Sequence, residues 1–320
     1  MLTPLPQPIR LGISACLLGD EVRYDGGHKR NAFLIDLLGP FVEWVKVCPE
    51  VESGMGTPRE SIRLLEGDGR IRMVTVKSGV DQTDRMESYS RRRVDELAHD
   101  DLSGYVLKKD SPSCGMTRVK VYGRSGTGTR SGTGLFAQAL LARFPDLPVE
   151  EEGRLLDHTI RENFVERVFA YRRLRDLFGA RWTVGGLVRF HTAHKLVLMA
   201  HSRVAYDALG RLVAGASART RAEVRAEYGK GFMDALAETA TPRRHTNVLQ
   251  HMAGYFKRTL DAASRAELLA TIDDYRKGLL PLIVPITLIR HHVRRHDVAY
   301  LAGQVYLEPH PKELMLRNHV

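Results

Sequence analysis

The hydrophobic period of this chain changes halfway along, and that change limits its fold more than any other feature. In the first half, short apolar or alternating runs at Ile9–Ala15, Val42–Val47, Ile71–Lys77 and Gly104–Lys108 read as strands. Between them, Phe33–Leu38, Thr83–Ala98 and Gly134–Arg143 have helical spacing. Strands separated by helices specify an α/β domain with a mostly parallel sheet. From Arg154 onward only the helical period remains, over Arg154–Phe178, Gly186–His201, Arg219–Ala240, Pro242–Leu260, Ser264–Gly278 and Ile286–Arg295. Thr241-Pro242 and Asp261–Ser264 have the residue types of helix starts. A chain of 320 residues is long for one domain. The expected architecture is therefore an α/β domain over residues 1–148 followed by an all-α domain over residues 149–320.

Charge divides along the same line. From Glu151 to the end, Lys and Arg outnumber Asp and Glu by 27 to 18, whereas the residues before it hold 21 and 20. Eleven of the 13 histidines also lie in the later part. A basic domain beside a neutral one suggests that one half performs chemistry while the other holds a polyanion, nucleic acid foremost; a solvated basic surface is the alternative. The proline-rich start, MLTPLPQPIR, has no apolar core of a signal peptide. The most apolar late stretch, Leu279–Ile289, is too short for a span and is broken by Pro281 and Pro285. The expectation is a cytoplasmic, monomeric protein without a membrane partner.

Three cysteines remain, Cys16, Cys48 and Cys114. An odd number in a reducing compartment argues for metal binding or catalysis over a disulfide framework. Each follows a strand-like segment and sits among turn-formers: SACLLG, CPE and SPSCG. In open α/β sheets, ligand sites form beyond the carboxyl ends of strands, so three such ends can bring distant cysteines together. Three thiolates suit zinc with a water ligand, or an iron–sulfur cluster with one iron open, and the residues alone do not separate the two.

Residues 9–142 resemble the thiouracil desulfurase (TudS-like) family through SACLLG, VRYDGGHKRN, CPEVESGMGTPRES, KKDSPSCG and GTGLFAQAL, in that order. The second half is similar to the YbgA-type domain through RENFVERVFAYRRLR, LVRFHTAHKLVLMAHS, PLIVPITLIRHHVRRH and YLEPHPKELMLRNH. Their fusion resembles the RudS-like tRNA thiouridine desulfidases. That resemblance implies a [4Fe–4S] cluster held by Cys16, Cys48 and Cys114, with the fourth iron open. It implies hydrolytic replacement of the sulfur of a thiolated uridine, 4-thiouridine in tRNA, with release of sulfide to an unknown acceptor. Free 2-thiouracil as substrate, a non-catalytic cluster-bearing RNA-binding protein, and a zinc hydrolase are the alternatives.

Such a reaction needs proton handling beside the ligands. Glu50, two residues past Cys48, is the expected general acid or base, and Ser111 and Ser113 flank Cys114 closely enough to position water or the leaving sulfur. Ser14 is a weaker candidate. Tyr24 is placed to stack on a pyrimidine and Asp25 to bond its polar edge, while Arg59 could meet a phosphate. Gly132 and Gly134 close a glycine-rich tract, Gly123–Gly134, ahead of a helix whose free N–H groups could cradle an anion; no Walker pattern is present. In the helical half, His191 and His194 have the spacing of metal ligands or of core residues. Arg243, Arg244, Arg290, Arg294 and Arg295 are the expected RNA contacts, of the sequence-independent phosphate type.

Overall fold

The computed structural model describes residues 8–67, 69–123, 126–179 and 181–319. Most of the proline-rich start, and Arg124-Ser125 within the glycine-rich tract, lie outside them. The chain forms two compact units, residues 8–157 and 158–319.

The first unit runs β1 (Ile9–Ser14), β2 (Val42–Val47), β3 (Ile62–Gly67), β4 (Arg70–Thr75) and α1 (Thr83–Leu97). It continues with β5 (Leu102–Leu107), β6 (Val119–Tyr122), β7 (Gly128–Gly132), α2 (Leu135–Arg143) and β8 (Val149–Glu151). One sheet has the order β2-β1-β5-β8 and is parallel throughout. Its inner strands β1 and β5 are buried along nearly their whole length, as a sheet covered on both faces requires. Gly12 of β1 lies opposite Tyr105 of β5, and a Cβ there would sit 2.1 Å from the tyrosine ring. The fully buried Tyr105 thus takes the space a side chain at position 12 would need. Leu11, Ile13, Tyr105 and Phe136, none more than 1% exposed, form the apolar layer around it; full burial of each contributes about 1.5–3 kcal/mol.

A second sheet, β4-β3-β6-β7, is mixed: β3 pairs antiparallel to β4 and parallel to β6, and β6 antiparallel to β7. The sequence indicates only β4 of these. The glycine-rich tract, expected as a loop, contains β7, whose GTRSG has little intrinsic preference for a strand and is drawn into the ladder by β6. Pairing of β8 with β5 likewise carries residues 149–151 into the first unit, so the division falls after Asp157 and not after Pro148.

The second unit is helical: α3 (His158–Gly179), α4 (Val184–His201), α5 (Arg203–Ala214), α6 (Arg221–Ala237), α7 (Pro242–Gly254), α8 (Ala262–Arg276), α9 (Ile283–Arg295) and α10 (Ala299–Ala302). Thr241 accepts from Arg244 N–H and Asp261 from Ser264 N–H, so both indicated boundaries are true N-caps. Tyr228, Phe232, Leu249, Met252, Ile286 and Ile289 are buried in its core. Helix α5 is absent from the sequence reading. Its start is set by Ser202, whose side chain accepts from Ala205 N–H. Among the described residues, no helix is long and apolar enough to cross a membrane.

Candidate functional site

Strands β2, β1 and β5 are neighbours in one parallel sheet, so their carboxyl ends lie side by side. Cys48 follows β2 at once, and Cys16 lies in the turn Ala15–Leu18 after β1. Cys114 comes seven residues beyond Leu107, in a turn closed by Gly115 N–H to the Ser111 carbonyl at 2.8 Å. All three line one cavity of about 570 Å³. Cys16 and Cys114 are buried and Cys48 is half-buried. Burial pushes the Cys16 thiol up to about 11, with Lys108 pulling the other way. Burial also raises Cys48, and Cys114 further still, where the nearby Glu50, Cys48 and Cys16 add to the effect. Thiols raised in this way are poor nucleophiles by themselves. A cationic centre among them would reverse that balance, because a coordinated thiol deprotonates. Among the described residues, no three His, Cys, Asp or Glu side chains are gathered as ligands of a single metal ion.

Glu50 joins the cysteine loops. Its Oε1 accepts from the Ser113 hydroxyl at 2.5 Å and the Ser111 hydroxyl at 3.4 Å, and its Oε2 accepts from Arg59 Nε at 3.0 Å and from Nη2. The two serine hydroxyls are 2.9 Å apart, and Ser111 Oγ also accepts from Cys114 N–H at 3.1 Å. Ser113 Oγ lies 3.8 Å from Cys114 Sγ. The three residues indicated by their nearness to Cys48 and Cys114 thus form one hydrogen-bonded group.

The remaining indicated residues divide. Tyr24 lines the cavity, is 44% exposed, and lies under the Arg23 guanidinium at 5.5 Å. Asp25 is outside the lining; it accepts from Gly27 N–H at 3.1 Å within its own turn. Arg59 lines the cavity, but its guanidinium is engaged inside the protein, with Glu50 and with the carbonyls of Val22 at 2.9 Å and Gly56 at 2.8 Å. Gly132 and Gly134 do not line it either. A Cβ on Gly134 would lie 2.5 Å from the Ser113 carbonyl carbon, and the first N–H groups of α2 already donate to the Pro112 and Ser113 carbonyls. The cradle expected for an anion holds the Cys114 loop instead.

Sequence reasoning missed two supports and the charge of the cavity wall. Glu52 accepts from Cys48 N–H at 2.7 Å and from the Tyr89 hydroxyl at 2.5 Å, which fixes the start of the Cys48 loop. Lys108, paired with Glu152, stands by Cys16. Ser14, the weaker candidate of the sequence, accepts from Lys108 N–H at 3.0 Å and bonds to Cys114, which favours its thiolate. The third omission is the sign of the cavity wall. Arg23, Lys29, Arg63, Lys109, Lys120 and Arg130 join Arg59 and Lys108 there, against Glu50 and Asp110 as the acidic members. A nearly neutral half of the chain therefore presents a strongly cationic opening. Only the folded arrangement shows this, because the residues come from five separate segments.

In the helical unit, Arg243, Arg294 and Arg295 are exposed. Arg244 is tied to Glu238 and the His201 carbonyl, and Arg290 to Glu308, so two of the five expected RNA contacts have protein partners. His191 and His194 are core residues: their Nδ1 atoms meet the Tyr228 hydroxyl at 3.1 Å and the Phe190 carbonyl at 2.8 Å.

The family model for 2-thiouracil desulfurases matches residues 11–152, and that of a protein family of unknown function, DUF1722, matches residues 195–311. The chain is similar to YbgA, an uncharacterised protein of Escherichia coli K12, at 37% identity over 153 residues, covering 48% of this chain and 90% of that one. It is also similar to YbbK, an uncharacterised protein of Bacillus subtilis 168, at 32% identity over 109 residues, covering 32% of this chain and 71% of that one. Among solved structures, a [4Fe–4S]-dependent thiouracil desulfidase, TudS, matches at 33% identity over 46% of this chain and 93% of its own, with a TM-score of 0.39. The chain belongs to the family in which a 2-thiouracil desulfurase domain is joined to a YbgA-type domain.

Proposed function

We propose that the protein is a [4Fe–4S]-dependent desulfidase that converts a thiolated uridine of tRNA, 4-thiouridine, to uridine and releases sulfide. The observation that carries this reading is the cavity in which three thiols, Glu50, Ser111 and a cationic wall occur together. Cys16, Cys48 and Cys114 would hold the cluster. Their thiols come from three strand ends to one cavity, as separate ligands of a cluster would. When bound, the cluster supplies an open, sulfur-seeking iron to polarise the C=S bond.

The chain's own groups manage water and protons. Ser111 Oγ, which lines the cavity beside Glu50 and is backed by the buried Ser113 hydroxyl at 2.9 Å, would orient the attacking water, and Glu50 Oε1 would take its proton. Arg59 holds the carboxylate in position from the far side. The C=S double bond is exchanged for a C=O double bond; both water protons leave with sulfur as hydrogen sulfide and the ring carbon keeps its oxidation level, so no reductant is consumed. The cationic wall favours a substrate that carries phosphates, and a cavity of about 570 Å³ has room for more than one pyrimidine ring. Exposed Arg243, Arg294 and Arg295 in the second unit would add phosphate contacts.

Anaerobically reconstituted protein should remove sulfur from 4-thiouridine-containing tRNA, followed by loss of the near-ultraviolet absorption of the thio-base, at a higher kcat/KM than from free 2-thiouracil. Equal or greater efficiency on the free base would assign the activity to the smaller substrate. No sulfide from either would refute the proposal.

A further inference from the structure

The helical unit contains a cavity of about 480 Å³, within the range of small-molecule sites. Glu162 and Glu166 of α3, His201 at the end of α4, His245 of α7, Tyr275 of α8 and Arg317 near the carboxyl end meet at its floor. Glu166, His201, His245, Tyr275 and Arg317 are each less than 9% exposed. Burying so many polar groups is costly unless each is partnered. A purely structural network would close on itself, and part of this one does. Arg317 donates to Glu162 at 3.1 Å and to the Tyr306 carbonyl at 2.6 Å, and His201 Nδ1 meets the Glu238 carbonyl at 2.6 Å.

The rest stays open toward the cavity. Arg317 Nη2 is buried without a hydrogen bond, 3.7 Å from Glu166. His245 is held by Nδ1 against the Tyr306 hydroxyl at 2.8 Å, and His245 and Tyr275 both line the cavity. Their chemistry narrows the ligand. Burial lifts the Glu162 carboxyl to about 7 in spite of Arg317, and burial lowers His245 to about 3, so its ring is neutral. The buried Arg317 cation is balanced by the Glu166 carboxylate at 3.7 Å, and beside that pair a half-protonated carboxyl, a neutral imidazole and a phenol each donate or accept without carrying full charge. Such a floor is poorly suited to a simple anion or a metal ion and well suited to the mixed donor and acceptor edge of a nucleobase. The mouth is different. Arg276 and Lys277, sharing Asp273 as their acidic partner, leave a net positive charge there, and His319 stacks on His158 at 5.2 Å beside it.

We infer that this cavity is a binding site for a nucleoside 5′-phosphate, with the base on Glu162, His245 and Tyr275 and the phosphate at Arg276 and Lys277. The ligand has two sources, a free nucleotide or a nucleotide splayed out of an RNA strand. The inference does not depend on desulfidation by the first unit, and either can fail without the other.

Calorimetric titration of the full chain with AMP, GMP, CMP and UMP in turn, and with a short single-stranded RNA, tests it. At least one of these ligands should bind. Tyr275→Phe, which removes one oxygen, and Glu162→Gln, which keeps the shape, should each weaken binding tenfold or more while the melting curve of the variant stays cooperative. Arg276→Ser with Lys277→Ser should weaken the nucleotide but leave the corresponding nucleoside unchanged. Binding of a mononucleotide identifies the free source; binding of RNA alone, with the same sensitivity to Tyr275→Phe, identifies the splayed one. The inference is overturned if none of the five probes binds, or if binding is unchanged in both Tyr275→Phe and the rim variant.

Discussion

Replacing Glu50 by glutamine separates what this residue does for the fold from what it does for the reaction. The carboxylate accepts from two serine hydroxyls and from two nitrogens of Arg59, and the side chains of Glu50 and Arg59 are only 14% and 6% exposed. Truncation to alanine would leave the Arg59 cation buried and unpaired, at a cost of about 3–5 kcal/mol. Glutamine keeps the volume and one carbonyl acceptor, so Glu50→Gln should cost less, about 1–3 kcal/mol for the lost charge-assisted bond. It cannot take the water's proton at Oε1, and loss of a general base lowers turnover by about 10²–10⁴. The assay is single-turnover desulfidation by anaerobically reconstituted protein, with iron content and melting temperature measured on the same samples. The expected result is full iron content, a modest fall in melting temperature, nearly unchanged KM and at least a hundredfold loss of kcat. A variant that retains a tenth or more of the wild-type rate would refute the role given to Glu50.

Gly12→Ala would drive a methyl group into the Tyr105 ring, with its Cβ 2.1 Å away, so overpacking should cost at least about 1–3 kcal/mol, read as a lower urea midpoint. The helical unit should lose stability as pH falls below about 6.5. Burial lowers His191 and His310 to about 4 and His194 and His245 to about 3, so the unfolded chain binds protons first and each histidine adds a slope of up to about 1.4 kcal/mol per pH unit. Glu162, raised to about 7, works in the opposite sense: its contribution is present below about 4.5 and is lost as pH rises through 7. With His292 lowered as well, one group against five histidines leaves a net decline toward acid, checked by urea unfolding between pH 7.5 and 5. Lys109→Gln and Lys120→Gln, both on the wall of the first cavity, should each reduce the slope of log Kd against log salt for tRNA by about one, read from binding titrations over a series of salt concentrations.

The parts of this molecule that sequence makes legible are those set by local pattern. The hydrophobic runs of β1, β2 and β5 mark their own positions, and because the three strands are neighbours, their ends carry Cys16, Cys48 and Cys114 to one place. Thr241 and Asp261 declare helix starts through cap chemistry that acts over three residues. What is not legible depends on distant pairing. GTRSG in β7 becomes a strand only because β6 supplies its partner. Glu50 and Glu52 are two positions apart, yet one reaches the serines beside Cys114 and the other the Cys48 amide and Tyr89, a division set by loop geometry. The same holds for Arg59, whose proximity to the site is legible but whose commitment to Glu50 is not. The second cavity is the extreme case: Glu162 and Arg317 lie 155 positions apart, and no motif connects them.

What the three thiols hold decides the chemistry of the first unit. Iron and acid-labile sulfide should be measured in protein purified without oxygen, alongside Cys16→Ser, Cys48→Ser and Cys114→Ser variants prepared in the same way. The expected result is about four iron and four sulfide per wild-type chain, as a [4Fe–4S] cluster requires, with both lost in each variant. One zinc per chain with no iron, or iron that survives removal of any one of these thiols, would contradict it.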